Sequence, residues 1–309
     1  MQTPTDNPAS KSDAPPTERR EAAAKINLFL TVRRRRSDGY HEIETVFLPL
    51  PGLRDTVAVE DFRPGEIRLA ADRPELPTDR KNLCWQAAAA FAESANLTPG
   101  WRISIEKRIP VAAGLGGGSS DAAATLQLLN LRYGSPLAPR RLHAIAASLG
   151  ADIPFFLQPR PALAGGIGDR LEDLELNCEI PLVLLNPGLA PLTAAWAYST
   201  IKGEFDRLPA TPMVEAMRNG DLNRIAAAAH NRFDRAVCRK MPLVAIFLEF
   251  LQGRGCLTAH VSGSGPTVYG ICRDREQALS AAAAARRRFG RAAWVWVGGA
   301  MRHHQSTDN

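Results

Sequence analysis

Between Ala24 and Val32 the chain alternates. Ile26, Leu28, Leu30 and Val32 fall on one side of an extended segment, and Lys25, Asn27, Phe29 and Thr31 on the other. This period of two predicts a strand, with order beginning at Ala22. A Lys and an Asn two apart on one face can reach the same ligand, although an edge strand with polar residues facing water reads the same way. Arg33 to Arg36 and Ser37-Asp38-Gly39 predict a polar turn with Asp-Gly as its hairpin signal, and a strand over about 41–50 follows. The arginines could contact phosphates or form a solvated turn. Further strands are expected near 56–60, 66–70 and 101–109, with an Ala-rich helix over 82–96. Beyond Pro110 a glycine cluster leads into a helix over about 120–131, and another helix, 137–150, stops at Gly150. An apolar strand over 180–186 ends at Pro187-Gly188. Helical patterns follow at 211–218, 221–237 and 241–252, then a strand at 260–261, a glycine turn at 263–265, a strand at 267–272, a helix at 275–289 and a strand at 293–297. Strands and helices mix without regular βαβ alternation, which favours an α+β fold. Two domains are expected, 21–175 and 176–301, between loose tails at 1–20 and 302–309.

Composition narrows the classes. The 309 residues suffice for one large domain or two ordinary ones. No stretch approaches the roughly 18 uninterrupted apolar residues of a transmembrane helix. The net charge of +6 suits an anionic small molecule and is weak evidence for nucleic acid, so neither nucleic acid nor a membrane is expected as partner. The pattern specifies no oligomeric state. Cys84, Cys178, Cys238, Cys256 and Cys272 are scattered with no C-x-x-C pair, which argues against a disulfide framework or zinc site and for a reducing, cytoplasmic compartment. The N-terminal lead lacks the apolar stretch of a secretory signal. His303 and His304 read as part of a solvated tail, a metal site being the alternative.

The segment Pro110-Val111-Ala112-Ala113-Gly114-Leu115-Gly116-Gly117-Gly118-Ser119-Ser120-Asp121 carries the most chemistry. Four glycines let the backbone approach a ligand closely, and two serines stand where a helix begins. Free N–H groups and the positive end of the helix dipole make this an anion cradle suited to a polyphosphate. A side chain at Gly117 is expected to collide with bound ATP or bend the loop. A flexible loop with a capping Ser would not need four glycines. No Lys follows the glycines as a Walker A loop requires, and Ser119 stands where the dinucleotide pattern needs Gly or Ala. The protein-kinase markers are absent.

The loop resembles that of the small-molecule kinases named for galactose, homoserine, mevalonate and phosphomevalonate. The extra glycine and Asp121 resemble one branch, the 4-diphosphocytidyl-2-C-methyl-D-erythritol kinases of the non-mevalonate isoprenoid pathway. Three further segments are similar to the same branch: Ala24 to Leu30 followed by Asp38-Gly39-Tyr40-His41, Leu149 to Phe156, and Val261-Ser262-Gly263-Ser264-Gly265-Pro266-Thr267. The resemblance runs from about residue 22 to 298 in consistent order. It implies a two-domain α+β kinase with a ribosomal-protein-S5-like N-terminal half and an α/β-plait-like C-terminal half. It implies Asp152 as catalytic base with Lys25 as partner, ATP as co-substrate with Mg²⁺, and a cytidyl diphosphate alcohol as substrate. It places Asn82 and Leu83 at the adenine, Lys107, Pro110, Gly114, Leu115, Gly116, Gly117, Gly118, Ser119 and Ser120 at the ATP phosphates, and Asn27, Tyr40 and His41 at the cytidyl group. No metal ligand is implied beyond Ser120 as a candidate. The family's second aromatic wall follows a Thr by four residues. After Thr193 that place is Ala197, so Tyr198 is expected there, with Trp196 as the alternative.

The residue chemistry agrees. Phosphorylating an alcohol needs a base for its proton, a cation near the oxygen and a cradle for the moving phosphoryl. Taken alone, Asp152 could cap a short helix, Lys25 could be a surface lysine, Tyr40 a strand aromatic and His41 a structural histidine. A homoserine or mevalonate kinase and a non-catalytic nucleotide-binding module remain as rival readings, the loop with Tyr40 and His41 counting against the first and a base beside a phosphate loop against the second.

Overall fold

In the computed structural model, residues 18–189 and 192–300 are described, so the expected tails and His303 and His304 lie largely or wholly outside the described residues. Two long antiparallel strands, β1 (Glu18–Arg35) and β2 (His41–Asp61), organise the N-terminal half. β1 starts ahead of Ala22 because Glu18, Arg19 and Arg20 pair with Val59, Ala58 and Val57. β2 joins two strands that the pattern separates at Pro51-Gly52. Ala23 pairs with Arg54 and Ala24 with Leu50, so residues 51–53 bulge out of the ladder. Proline, which lacks an N–H, is tolerated at such a bulge.

β3 (Ile67–Ala71) and β4 (Trp101–Glu106) extend this sheet, in the order β3-β4-β2-β1. A hairpin of β5 (Ala162–Gly165) and β6 (Arg170–Asp173), not anticipated from the pattern, attaches to β2 at Thr45–Phe47. α1 (Leu83–Ala95) and α2 (Gly117–Arg132) pack on the sheet, and α3 (Pro139–Leu149) and α4 (Ile153–Leu157) pack against these helices. Ala122, Ala123 and Ala124 of α2 and Ala87 and Ala88 of α1 are buried in one core with Phe91, Trp101 and Phe155. These small side chains let α2 lie close to its neighbours, which fixes the position of its first turn.

The second sheet is antiparallel, in the order β11 (Trp294–Ala300), β7 (Ile180–Asn186), β10 (Val268–Ile271), β9 (Thr258–Val261). Every residue of β7 is buried, as its unbroken apolar run requires. α6 (Thr211–Asn219), α9 (Pro242–Gly253) and α10 (Arg275–Phe289) follow the helical patterns. The expected helix over 221–237 is instead α7 (Leu222–Ala228), the short β8 (His230–Asn231) and α8 (Asp234–Lys240). It breaks because His230 and Asn231 pair in parallel with Phe29 and Leu30, returning the chain to the first sheet. α5 (Ala194–Ser199) is a further element that the pattern did not signal. Ile26 and Leu28 share a core with Leu182, Leu184 and Tyr269, so both sheets bury apolar faces in one cluster. None of the described helices is long and apolar enough to cross a membrane.

Candidate active site

Lys25 projects from β1 into a cavity of about 290 Å³ between the two halves. Its ammonium lies 3.2 Å from Asp152 Oδ2, donates to Asn27 Oδ1 at 2.8 Å and sits 4.6 Å from the centroid of the Phe47 ring. Asn27 is fixed in turn: its amide donates to Thr45 Oγ1 at 2.8 Å, and that hydroxyl donates to the Phe29 carbonyl at 2.6 Å. The Lys25 side chain is only 5% exposed and that of Asp152 35%, so the carboxylate is the member of the pair that an incoming molecule can reach. Asp152 occupies the N-cap position of α4, yet its side chain makes no capping bond. It lines the cavity and does not cap the helix.

The first turn of α2 forms another wall. Gly116, at φ 71°, is the N-cap and has no side chain to cap with. The first helical bond runs from Ser120 N to Gly116 O, at 2.9 Å. The N–H groups of Gly117, Gly118 and Ser119 find no acceptor among the described residues, and the cavity wall includes Gly114, Gly116 and Ser119. Free N–H groups at the positive end of a 16-residue helix have the chemistry to hold an anion. Ser120 is buried behind them. The Leu115 carbonyl ties the loop to β1 by accepting from Lys25 N at 2.9 Å. Gly114, at φ 79°, lies against the turn 262–265: a Cβ there would overlap the Ser262 carbonyl, and Ser262 Oγ donates to Gly114 O at 2.8 Å.

At Gly117 the protein's own packing favours the second of the two expected effects, a bent loop. A Cβ there would point inward, 3.1 Å from Ile109 Cγ2 and 3.2 Å from Lys107 Nζ. A larger residue would collide with the protein before it met a phosphate. Gly118 is the outward position, where a Cβ would meet only Leu83 Cδ1, at 3.9 Å.

Lys107 does not line the cavity. Its ammonium is buried beneath α2, paired with Asp55 and, at 2.7 Å, with Asp121. Asp55 Oδ1 also accepts from the Arg108 and Ile109 amides, at 2.6 and 2.8 Å, and so holds the segment leading into Pro110. Burial disfavours the Lys107 charge, but the two carboxylates outweigh it and hold its pKa above the ordinary value. Asp121 is pushed up to about 7, mainly by burial, with Lys107 opposing and the Asp55 charge adding. Its Oδ1 has no hydrogen-bond partner among the described residues. A carboxyl raised in this way favours the fold while protonated, below its ordinary value of 3.8, and that advantage is lost as the pH rises through about 7. Asp121→Asn keeps the size and leaves Lys107 one carboxylate. Thermal unfolding across this pH window should show the parent protein losing stability relative to the variant as the pH rises. A pH-independent difference would mean that Asp121 does not titrate there.

A second cavity, of about 610 Å³, adjoins the first and shares Ala151, Ile167, Ala194 and Tyr198 with it. Tyr40 and His41 line it, Tyr40 being 62% exposed. The His41 ring stacks on Tyr198, with centroids 5.2 Å apart and planes within 14°. Burial lowers the His41 pKa and the Arg35 charge adds to this, which favours the neutral imidazole. Burial and the Asp152 charge raise the Tyr198 pKa, so its hydroxyl keeps its proton. Of the two aromatics after Thr193, Tyr198 lines both cavities and Trp196 lines neither, although both pack against the core of the C-terminal half. Thr193 caps α5 by accepting from Trp196 N at 3.1 Å and lines neither cavity. Asn82 has both polar ends engaged: Oδ1 accepts from Cys84 N at 2.9 Å and the amide donates to the Pro77 carbonyl at 2.8 Å. Leu83 borders the loop at Gly118. Pro110 lines a separate cavity of about 530 Å³ with Arg73 and Arg108.

Four residues that support the site escaped the sequence reading: Thr45, Asp55, Asp121 as a partner of Lys107, and Asn231. The Asn231 amide donates to the Val261 and Gly263 carbonyls, at 2.6 and 2.9 Å, and so holds the glycine turn against the cavity. A buried polar residue interrupting an Ala-rich run was the one available signal.

Free N–H groups at a helix N-terminus, a Lys–Asp pair beside them and two sheets closing on both are the parts that a small-molecule kinase of the GHMP class needs, and the comparisons give that class. The N-terminal domain of the GHMP kinases matches residues 82–159, and the C-terminal domain matches residues 213–291. A 4-diphosphocytidyl-2-C-methyl-D-erythritol kinase of Chloroherpeton thalassium is 39% identical over 273 residues, covering 87% of this chain and 94% of its own. One of Alkaliphilus metalliredigens is 36% identical, over 84% and 90%. A crystal structure of 4-(cytidine 5'-diphospho)-2C-methyl-D-erythritol kinase superposes with a TM-score of 0.77 at 36% identity, covering 93% of this chain and 100% of that one. Homoserine kinase from Cytophaga hutchinsonii, at 17% identity and a TM-score of 0.69, shares the fold. The chain belongs to the 4-diphosphocytidyl-2-C-methyl-D-erythritol kinase family and is a phosphotransferase that uses ATP.

Proposed function

We propose that this enzyme phosphorylates the 2-hydroxyl of 4-diphosphocytidyl-2-C-methyl-D-erythritol, with Asp152 as the base and the first turn of α2 as the phosphate cradle. The observation that carries this reading is the Lys25–Asp152 pair in the same cavity as Gly116 and Ser119. Asp152 takes the hydroxyl proton as the alcohol attacks, and Lys25 orients the carboxylate and offsets charge at the oxygen. Free N–H groups at Gly117, Gly118 and Ser119 hold the phosphates in line. Leu83 borders the nucleotide. Lys107 acts from beneath, by fixing α2, and not by touching ATP. Tyr40, His41 and Tyr198 receive the cytidyl group in the adjoining cavity, the aromatic faces suiting a pyrimidine.

Mg²⁺ brought in on ATP would neutralise phosphate charge. No group of three or more His, Cys, Asp or Glu side chains able to hold a metal exists among the described residues. An ion carried by phosphates needs only one or two protein oxygens. Ser119, on the cavity wall, suits that better than the buried Ser120. All five cysteines are free, which supports a cytoplasmic setting. We take residues 21–175 as the nucleotide-binding and catalytic half and 176–301 as the half that closes the site through Gly263 and Ser264. Steady-state inhibition by CDP tests the cytidyl cavity. CDP should compete with the alcohol and not with ATP; competition with ATP alone would refute this assignment.

A further inference from the structure

Of the four consecutive arginines after β1's apolar stretch, three are neutralised by neighbours. Arg33 pairs with Glu44, Arg34 with Glu42 and Arg36 with Asp38. Arg35 has no carboxylate partner among the described residues. The sheet register distinguishes it further: Arg35 stands directly across from His41, whereas Arg34 stands across from Glu42. Residues directly opposite in an antiparallel pair share a face. Arg35 therefore shares the face of His41, and it lines the second cavity, where it is the one charged residue of the lining. Its charge also acts on the His41 ring.

The charge balance across the two cavities is uneven. In the first, Lys25 and Asp152 neutralise one another. A ligand carrying a diphosphate between its alcohol and its pyrimidine would bring negative charge into both, and Arg35 is the one uncompensated cation on either lining. We infer that Arg35 binds a phosphate of the cytidyl diphosphate, making the second cavity selective for a nucleotide over the corresponding nucleoside. This rests on the proposed cytidyl cavity. A guanidinium suits the task, since its planar fork of donors matches phosphate oxygens.

The test compares CDP with cytidine as inhibitors against the alcohol substrate, in the parent enzyme and in Arg35→Gln and Arg35→Lys. Arg35 is exposed and makes no ion pair among the described residues, so neither substitution threatens the fold. In the parent enzyme CDP should inhibit more strongly than cytidine. Arg35→Gln should weaken CDP by about 10-fold, the scale of one charge-assisted hydrogen bond. Cytidine inhibition and the KM for ATP should not change, and Arg35→Lys should recover part of the CDP affinity. Equal weakening of CDP and cytidine, or of neither, would overturn the inference while leaving the cavity assignment intact. If neither compound competes with the alcohol in the parent enzyme, the cytidyl cavity fails and the role of Arg35 with it.

Discussion

Asp152→Asn should lower turnover by about 10² to 10⁴, the range for losing a general base. Affinity for a non-hydrolysable ATP analogue should not change, because the proposed cradle consists of backbone N–H groups of α2 and not of this side chain. Any fall in thermal stability should come from the Lys25 ammonium left without its carboxylate and not from α4, because Asn is isosteric and the Asp152 carboxylate makes no capping bond. This separation is what distinguishes a base from a cap. Loss of an N-cap lowers stability by roughly 0.5–2 kcal/mol and leaves chemistry alone. Turnover and calorimetric affinity for the variant check both halves, and turnover within a few-fold of the parent would remove Asp152 from the mechanism.

Lys25→Met should also lower turnover steeply, by about 10²-fold or more, as the loss of a preorganised charge at the reacting oxygen does. Methionine retains the apolar stem beside Phe47, so the fold should survive. The substitution leaves Asn27 Oδ1 without its donor and Asp152 without its cation. Since Lys25 contacts Asp152 directly, the two should act as one unit. The double variant should then turn over no more slowly than the slower single one. Fully additive losses would assign Lys25 to the phosphates independently of the aspartate. Initial rates of the parent, both single variants and the double variant decide between these outcomes.

Local features of the site were legible, and long-range ones were not. The alternation over 24–32 showed Lys25 and Asn27 on one face, and the glycine cluster pointed to a helix start with free N–H groups, because both are read from neighbouring residues. The fate of Lys107 was not readable. Its position depends on Asp55, 52 residues away, and on Asp121, and no local spacing announces a buried triad. Gly117 illustrates the same limit: the sequence requires a missing side chain there without saying which neighbour requires it. Elements with a strong local signal, such as the unbroken apolar run of β7 and the Ala/Arg-rich helix α10, matched their expected bounds closely. β5, β6 and α5 are short and depend on tertiary pairing. The helix expected over 221–237 broke where two residues found partners on β1, tertiary contacts overriding helix propensity.

The central claim is that the two joined cavities commit the enzyme to a cytidyl diphosphate alcohol. It is tested most directly by ADP release with ATP and one acceptor at a time: 4-diphosphocytidyl-2-C-methyl-D-erythritol, mevalonate, homoserine and galactose. Rapid release with the cytidyl substrate, and none above background with the other three, is the expected result. Comparable turnover of mevalonate or homoserine, or none with the cytidyl substrate, would contradict it.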